Sequence, residues 1–442
     1  MSSRGRLVLV ASLALALCLS LLGPIGAARA QSPAPVAAAL SWLRSQQAAD
    51  GTFGSSTAAT IEATLAAAAA GEDIATWRAT GGASLADALG AAADAYATDG
   101  ATTGKLLTAA VAAGLDPRAL GGIDLVARLQ SYGEKGAFSD TALGQAWAIL
   151  GLGAASEVIP PGAVERLVSF QQPGGGWEGG PGWGVDSNTT ALAVQALISA
   201  GVPKTSPALV AAADYLSRQV APAGGMVYSS DWGDAADANS TAYGIQALRA
   251  LGLDPDGAAW SRAGRTQTQA LVGFQIAGGA LEWQPGQGAN LMATAQAVPA
   301  LMGVVYPVRP SDDAAPEPVA LGAGQPETGV LVGNRAGAHA LYRVAHPGAG
   351  REVAIVVATP RAHPLILVGF GFDVYDEAGR RLGGGRLTPD TTEHVLRFAR
   401  TSATPAVWTV QVYHYVEGTT LPFRIAVDGL DTADAGEAPS GG

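Results

Sequence analysis

The chain has 442 residues, too many for one ordinary core, so two domains are expected. Its formal net charge of −11 disfavours nucleic acid and anionic lipid surfaces as partners. Its single cysteine, Cys18, leaves no disulfide framework, no Cys–zinc site and no thiol nucleophile.

Residues 1–30 read as a secretory signal peptide. Arg4 and Arg6 precede the apolar run 7–22, and Ala28-Arg29-Ala30 is a small-x-small cleavage site, so cleavage is expected before Gln31. A retained membrane anchor is the competing reading, but the run is short for a span of about 20 residues. Such a leader would carry away Cys18, Arg4, Arg6 and Arg29, leaving a thiol-free and more acidic mature chain. A secreted or cell-envelope monomer with no membrane span in the mature chain is expected.

Six repeats follow. Residues 160–203, 206–254 and 265–303 each run helix, Gln, Gly-rich turn with an aromatic, then Asn before a second helix ending in Gly. Asn188, Asn239 and Asn290 recur at a 51-residue interval. The copy at 121–153 keeps Gln130, Phe138 and Thr141-Ala142. The copy at 36–71 keeps Gln46, Gln47 and Phe53, and the pair at 84–114 has lost the aromatic. Leu192, Val194, Leu197 and Ile198, and likewise Ile245, Leu248 and Leu251, approximate the helical period. Gly201, Gly252 and Gly303 stand where C-terminal caps are wanted, and the Asp, Ser and Asn residues before Thr-Ala suit N-caps. Pairs that cannot bury both faces alone must stack, and six can close into a ring. The expected fold is a twelve-helix α6/α6 toroid at 31–306.

Residues 307–327 read as a Pro-, Ala- and acid-rich linker. A small antiparallel β-sandwich is expected at 328–430, with strands at 340–344, 353–357, 365–374, 394–398, 407–415 and 423–427 and a turn at 376–379. Residues 431–442 read as a polar, disordered tail.

The Gln–Gly–aromatic units, at Gly51-Thr52-Phe53-Gly54, Gly136-Ala137-Phe138, Gly175-Gly176-Trp177 and Gly225-Met226-Val227-Tyr228, resemble the QW-type repeat of squalene cyclases and protein prenyltransferase β subunits. The resemblance covers about 36–303 and implies an α6/α6 toroid, a fold shared with cobalamin-binding intrinsic-factor proteins. The stretch VWTVQVYHYVEGTTLPFRIAV resembles the pre-peptidase C-terminal domain of secreted bacterial proteins.

Cyclases of that superfamily protonate an alkene or epoxide with an Asp-x-Asp-Asp-Thr-Ala motif. Here the text is Asp186-Ser187-Asn188-Thr189-Thr190-Ala191, repeated as Asp237-Ala238-Asn239-Ser240-Thr241-Ala242. An amide stands where the middle acid belongs, and an amide delivers no proton. Asp186 and Asp237 remain as candidate acids. The prenyltransferase zinc needs Asp, Cys and His, yet His339, His346, His363, His394 and His414 all follow the linker. Nucleophilic triads fail for the same reason.

The bland reading of Asp186, Ser187, Asn188, Asp237 and Asn239 is helix capping. The functional one gathers Asn188, Asn239 and Asn290 with Asp186 and Asp237 at one mouth of the ring, as ligand-binding residues. Trp177, Tyr228 and Trp283 are expected to pack the repeats. Trp183 and Trp232, flanked by Gly before the cap loops, are candidates to stack on a sugar or a prenyl chain. Asp231, Asp234 and Asp237 form a weak calcium candidate, although a solvated acidic loop explains them as well. Glu178 and Glu282 hold related turn positions, a candidate pair of glycoside-cleaving acids. No cofactor is expected. The favoured function is non-catalytic binding of a small molecule, isoprenoid or glycan at the cell envelope. The alternatives are a terpene cyclase with a displaced acid and a structural or adhesive surface protein.

Overall fold

The structure is a computed structural model describing residues 33–308, 318–323, 326–332, 338–360, 369–377, 379–388, 393–415 and 420–430. The expected signal peptide, the middle of the expected linker, His363 and the expected tail lie outside the described residues. Twelve α-helices are present among them, in six pairs. The pairs are α1 (Ala34–Gln46) with α2 (Thr57–Ala69), α3 (Leu85–Tyr96) with α4 (Gly100–Ala112), and α5 (Leu125–Tyr132) with α6 (Ala142–Ala154). Then come α7 (Pro161–Ser169) with α8 (Ser187–Ser199), α9 (Pro207–Arg218) with α10 (Ala238–Leu251), and α11 (Gln267–Val272) with α12 (Leu291–Met302).

The even-numbered helices touch in the order α2, α4, α6, α8, α10, α12 and back to α2, which closes a ring. They are buried on nearly every side, as the Ala-rich text of α2 and the twelve buried residues of α6 show. The odd-numbered helices lie outside and are one-sided: α1 buries Val36, Ala39, Leu40 and Leu43. This is the expected α6/α6 toroid.

One local rule builds every inner helix. Ser56, Asp99, Thr141, Asp186, Asp237 and Asn290 are N-caps in extended conformation, and each accepts the N–H three residues on. Four residues past the cap stands Thr60, Thr103, Gln145, Thr190, Thr241 or Thr294. Five of these six side chains accept an N–H from the preceding turn, given by Phe53, Phe138, Trp177, Met226 and Leu281 respectively. Thr103, in the pair that lost its aromatic, is buried without such a donor.

The same rule corrects the alignment of the repeats. The packing position holds Met226 and Leu281, not Tyr228 and Trp283, which come two residues later and are left for other contacts. The cap position holds Asp186, Asp237 and Asn290, so Asn290 is not the counterpart of Asn188 and Asn239. Met292 is.

The repeat's Gln and Gly residues join neighbouring pairs. Gln171 donates to the Gly175 and Ala208 carbonyls at 2.7 and 2.8 Å, reaching the start of α9. Gln275 donates to Gly279 and Pro35 at 2.9 and 2.8 Å, so the bond that ties the fourth pair to the fifth also ties the sixth to the first. Gly279 has φ +94°, and a Cβ there would lie 2.3 Å from the Ala38 carbonyl, so only glycine fits the closure. Beyond α12 the chain folds back onto the inner helices. Tyr306 is buried there, 5.8 Å from the Trp147 ring and 6.5 Å from Tyr243, with its N–H on Gln195 Oε1 at 2.8 Å.

The second architecture is a sandwich of two five-stranded sheets. One has the order β4 (Glu327–Val332), β12 (Thr420–Asp428), β6 (Arg351–Pro360), β10 (Glu393–Ser402), β9 (Arg386–Thr388). The other runs β3 (Val319–Leu321), β5 (Ala338–His346), β11 (Ala406–His414), β7 (Phe370–Tyr375), β8 (Arg381–Gly384). The remaining strands, β1 (Trp177–Glu178) and β2 (Val185–Asp186), form a ribbon in the ring. Val344, Phe372, Val410 and Val412 face Ile355, Val357, Phe423 and Ile425 across the sandwich core. The sandwich is not wholly antiparallel, because β3, in the stretch assigned to the linker, pairs parallel to β5. The turn at 376–379 is present, with the Gly379 N–H on the Asp376 carbonyl at 2.8 Å.

Ring and sandwich meet through buried charge. Arg118 lies 2.6 Å from Glu157 Oε1 and 3.1 Å from Asp373 Oδ2, with its guanidinium 4.5 Å over the Tyr413 ring. Tyr375 donates its hydroxyl to Glu157, and Gln411 donates to the Ser156 carbonyl at 2.6 Å. Burial opposes the charge on Arg118, but Glu157, Tyr415 and Asp373 outweigh it and hold its pKa well above the ordinary value.

Candidate functional site

The inner-helix N-termini of α8, α10 and α12 open on a cavity of about 790 Å³. The residues two past the caps, Asn188, Asn239 and Met292, line it, and so do Tyr243 and Gln296, six past theirs. Asn239 donates Nδ2–H to Gln296 Oε1 at 2.5 Å. The Asn188 side-chain oxygen is buried with no hydrogen-bond partner among the described residues.

Aromatic side chains form the outer wall. Tyr228, Trp232 and Trp283 line the cavity, and the indoles of Trp232 and Trp283 keep 67% and 42% of their surface exposed, so their faces are free to contact a ligand. The Tyr228 and Trp232 rings stand 5.2 Å apart, which orients the more exposed indole. Gly184, at φ +79°, passes beneath it, and a Cβ there would lie 3.4 Å from the ring.

The two candidate acids are caps. Asp186 is 1% exposed and accepts the Thr189 N–H at 2.7 Å, with the Tyr228 phenol against its carboxyl, and it is not on the cavity wall. Asp237 is on the wall, yet Oδ1 accepts the Ser240 N–H at 2.8 Å and Oδ2 the Ser240 hydroxyl at 2.7 Å, with the Trp283 side chain against it. Burial raises both carboxyls above the ordinary aspartate range, and the N–H groups at their helix ends pull them part of the way back.

Asn290 shows that an amide caps equally well, with Oδ1 accepting the Ala293 N–H at 2.9 Å. Asp237→Asn should therefore stay within about 1 kcal/mol of wild type at pH 7, while Asp237→Ala should lose about 1 kcal/mol. Because the folded-state pKa of Asp237 is raised, the folded chain binds the proton first on acidification. Wild type should therefore gain stability relative to Asp237→Asn as pH falls through that raised pKa toward 3.8, a trend that urea titrations at several pH values would read. A difference independent of pH would contradict this account of the carboxyl.

Other sequence candidates fall elsewhere. Trp183 is 63% exposed but lies over Gly179 and Gly180, where added Cβ atoms would meet its ring at 3.4 Å, and it does not line the cavity. The calcium candidate is not assembled: Asp231 and Asp234 are exposed while Asp237 is committed to α10, and no cluster of three metal-ligating side chains occurs among the described residues. Glu178 accepts the Gly182 N–H at 3.1 Å, and Glu282 the Gly286 and Gly288 N–H groups at 2.8 and 3.2 Å, so each staples its own loop.

The sequence reading missed Tyr228 and Trp283 as lining residues. Counting six residues on from Gln171 and Gln275 lands on Trp177 and Leu281, which would have released Trp283 from the packing role. It also missed Glu62 and Lys105. Their side chains pair at 2.6 Å inside the ring, with Lys105 5.1 Å from the Trp147 ring. Burial disfavours the Lys105 charge, but Glu62 outweighs it and raises the pKa. One acid and one base, each six residues past a cap in an otherwise uncharged helix, were the available signal.

No protein-family model and no curated protein matches the chain. Among solved structures, the ring is similar to the type II terpene cyclase MstE from Scytonema, at 17% identity over 61% of this chain and 96% of that one, with a TM-score of 0.41. It is similar to ent-copalyl diphosphate synthase from Streptomyces platensis at 17% identity over 55% of this chain and half of that one, with a TM-score of 0.38. The sandwich is similar to the pre-peptidase C-terminal domain of a collagenase from Bacillus anthracis, at 14% identity over 26% of this chain and all of that one, with a TM-score of 0.21. The closed order of the inner helices establishes the ring, and in fold the chain is an α6/α6 helical toroid followed by a β domain.

Proposed function

We propose that the protein binds a small molecule in the cavity at the mouth of its ring. The observation that carries this reading is the joining of exposed indoles at Trp232 and Trp283 with the side-chain amides of Asn188, Asn239 and Gln296 around about 790 Å³. Ligand sites have this make-up: mostly apolar walls, a few placed polar groups and several hundred cubic ångströms. Proton delivery is the weaker reading. Asn188 stands where the acid would be, and an amide has no proton to give.

Saturation-transfer NMR of wild type against Trp232→Ala/Trp283→Ala, over a library of isoprenoid alcohols, saccharides and organic cations, tests the proposal. At least one ligand should bind wild type and lose its signal in the double variant. Ligands indifferent to both indoles would place binding elsewhere and sink the proposal.

A second reading rests on Asp237, a cavity-wall carboxyl with a raised pKa. It makes the chain a cyclase with a displaced acid, and cyclised product from geranylgeraniol that disappears in Asp237→Asn would establish it. Export to the cell envelope is part of the proposal. A mature chain beginning at Gln31 is its expected mark, and an uncleaved chain would contradict it.

A further inference from the structure

The cavity's chemistry narrows the ligand. Its walls combine flat aromatic faces (Trp232, Trp283, Tyr243) with side-chain amides (Asn188, Asn239, Gln296), and no Lys or Arg lines it. Its one carboxylate, Asp237, spends both oxygens on Ser240.

Each ligand class meets these groups differently. An anion finds no cation in the lining and approaches past the exposed Asp231 and Asp234. An organic cation suits the aromatic faces, but a quaternary ammonium has no N–H to give and leaves the lining amides without a ligand partner. A purely hydrocarbon chain leaves the side-chain amides of Asn188, Asn239 and Gln296 on the cavity wall without a ligand partner. A sugar satisfies both kinds of wall. Its C–H face lies on an indole, and its hydroxyls both donate and accept, as the amides do. Asn188 and Asn239 line the cavity two residues past their caps, and Gln296, bonded to Asn239, presents its amide one helical turn deeper.

The outer wall suits stacking. Trp232 is braced on Tyr228 at 5.2 Å while most of its surface stays exposed. A cavity of about 790 Å³ is large enough for more than one ring.

From the joint placement of exposed indoles, lining side-chain amides and a wall free of cationic side chains, we infer that the cavity takes a neutral oligosaccharide. This rests on the reading of the ring mouth as a binding site. The two are separable by experiment.

Saturation-transfer NMR and indole fluorescence would be recorded on the full mature chain with maltotriose, cellotriose and the N-acetylated chitotriose. Choline and geranylgeraniol serve as the cationic and apolar probes. At least one trisaccharide should bind. Trp232→Ala and Asn188→Leu should each weaken it about tenfold or more, while circular dichroism and the melting temperature stay close to wild type for the exposed Trp232 position. Trisaccharide binding that neither substitution weakens would overturn the assignment of the sugar to this cavity. If geranylgeraniol or choline binds in a Trp232-dependent way and no trisaccharide does, the saccharide inference falls while mouth binding stands. If no probe responds to Trp232, both fall.

Discussion

Arg118→Ala should destabilise the folded chain by about 3–5 kcal/mol, the cost of stripping one partner from buried charges. Arg118 is the cation that Glu157 and Asp373 share where the ring meets the sandwich, and those two side chains are no more than 1% exposed. Removing it leaves carboxylates facing each other in a site water does not reach. Burial already holds the Glu157 carboxyl above the ordinary range, with Arg118 pulling it down, so the substitution raises it further. The variant should therefore recover stability relative to wild type as acid protonates Glu157, and the difference should be greatest at neutral pH. Urea unfolding followed by circular dichroism and fluorescence would check both parts. A loss under about 1 kcal/mol at pH 7 would mean that the junction contributes little to holding the two architectures together.

Trp177→Ala should be comparably severe, about 3–5 kcal/mol, the usual range for truncating a buried aromatic. Trp177 is fully buried between pairs, its backbone N–H bonded to Thr190 Oγ1 at 3.0 Å and its indole N–H to the Leu167 carbonyl at 2.7 Å. The substitution opens a void and removes one of the two hydrogen bonds that the Leu167 carbonyl accepts, the other coming from the Phe170 N–H. Trp177→Phe keeps most of the volume and loses the indole bond, so it should cost less, about 1–3 kcal/mol. Thermal and urea unfolding of the two variants would rank them, and equal costs would show that the carbonyl bond carries no weight. Trp232→Ala, at an indole still 67% exposed, should by contrast change stability by less than about 1 kcal/mol.

Sequence spacing went wrong where loops changed length. The 51-residue interval equates Asn290 with Asn188 and Asn239, but Asn290 is the cap of α12 and the counterpart of Asp186 and Asp237. The chain between α10 and α12 is longer, and a surface loop absorbs added residues without moving the helices that stack. The same slip assigned Tyr228 and Trp283 to packing and hid them from the site. In the sandwich, the strands not foreseen are β3, β4, β8 and β9, all at sheet edges. An edge strand has one neighbour and can be short and exposed, as Val319, Val330 and Leu387 are, so it carries little alternation to read.

The sequence by itself determined the architecture's local rules: five Gln–Gly turns, caps before Thr, glycine helix ends, and nearly uncharged inner helices whose apolar residues leave no choice but to stack. Those signals are short-range, because a cap bonds three residues on and an anchoring turn bonds within about one loop. The tertiary structure decided which of these groups share a space. It turned the Asp186 and Asp237 carboxyls onto their own helices and left Asn188 facing a cavity. It moved Trp183 off the site and brought Trp283 onto it, and it paired Glu62 with Lys105 and Arg118 with Glu157 and Asp373. Apart from the two caps, these are contacts between residues far apart in the chain. They depend on how the ring closes and on where the sandwich docks, which no local pattern records.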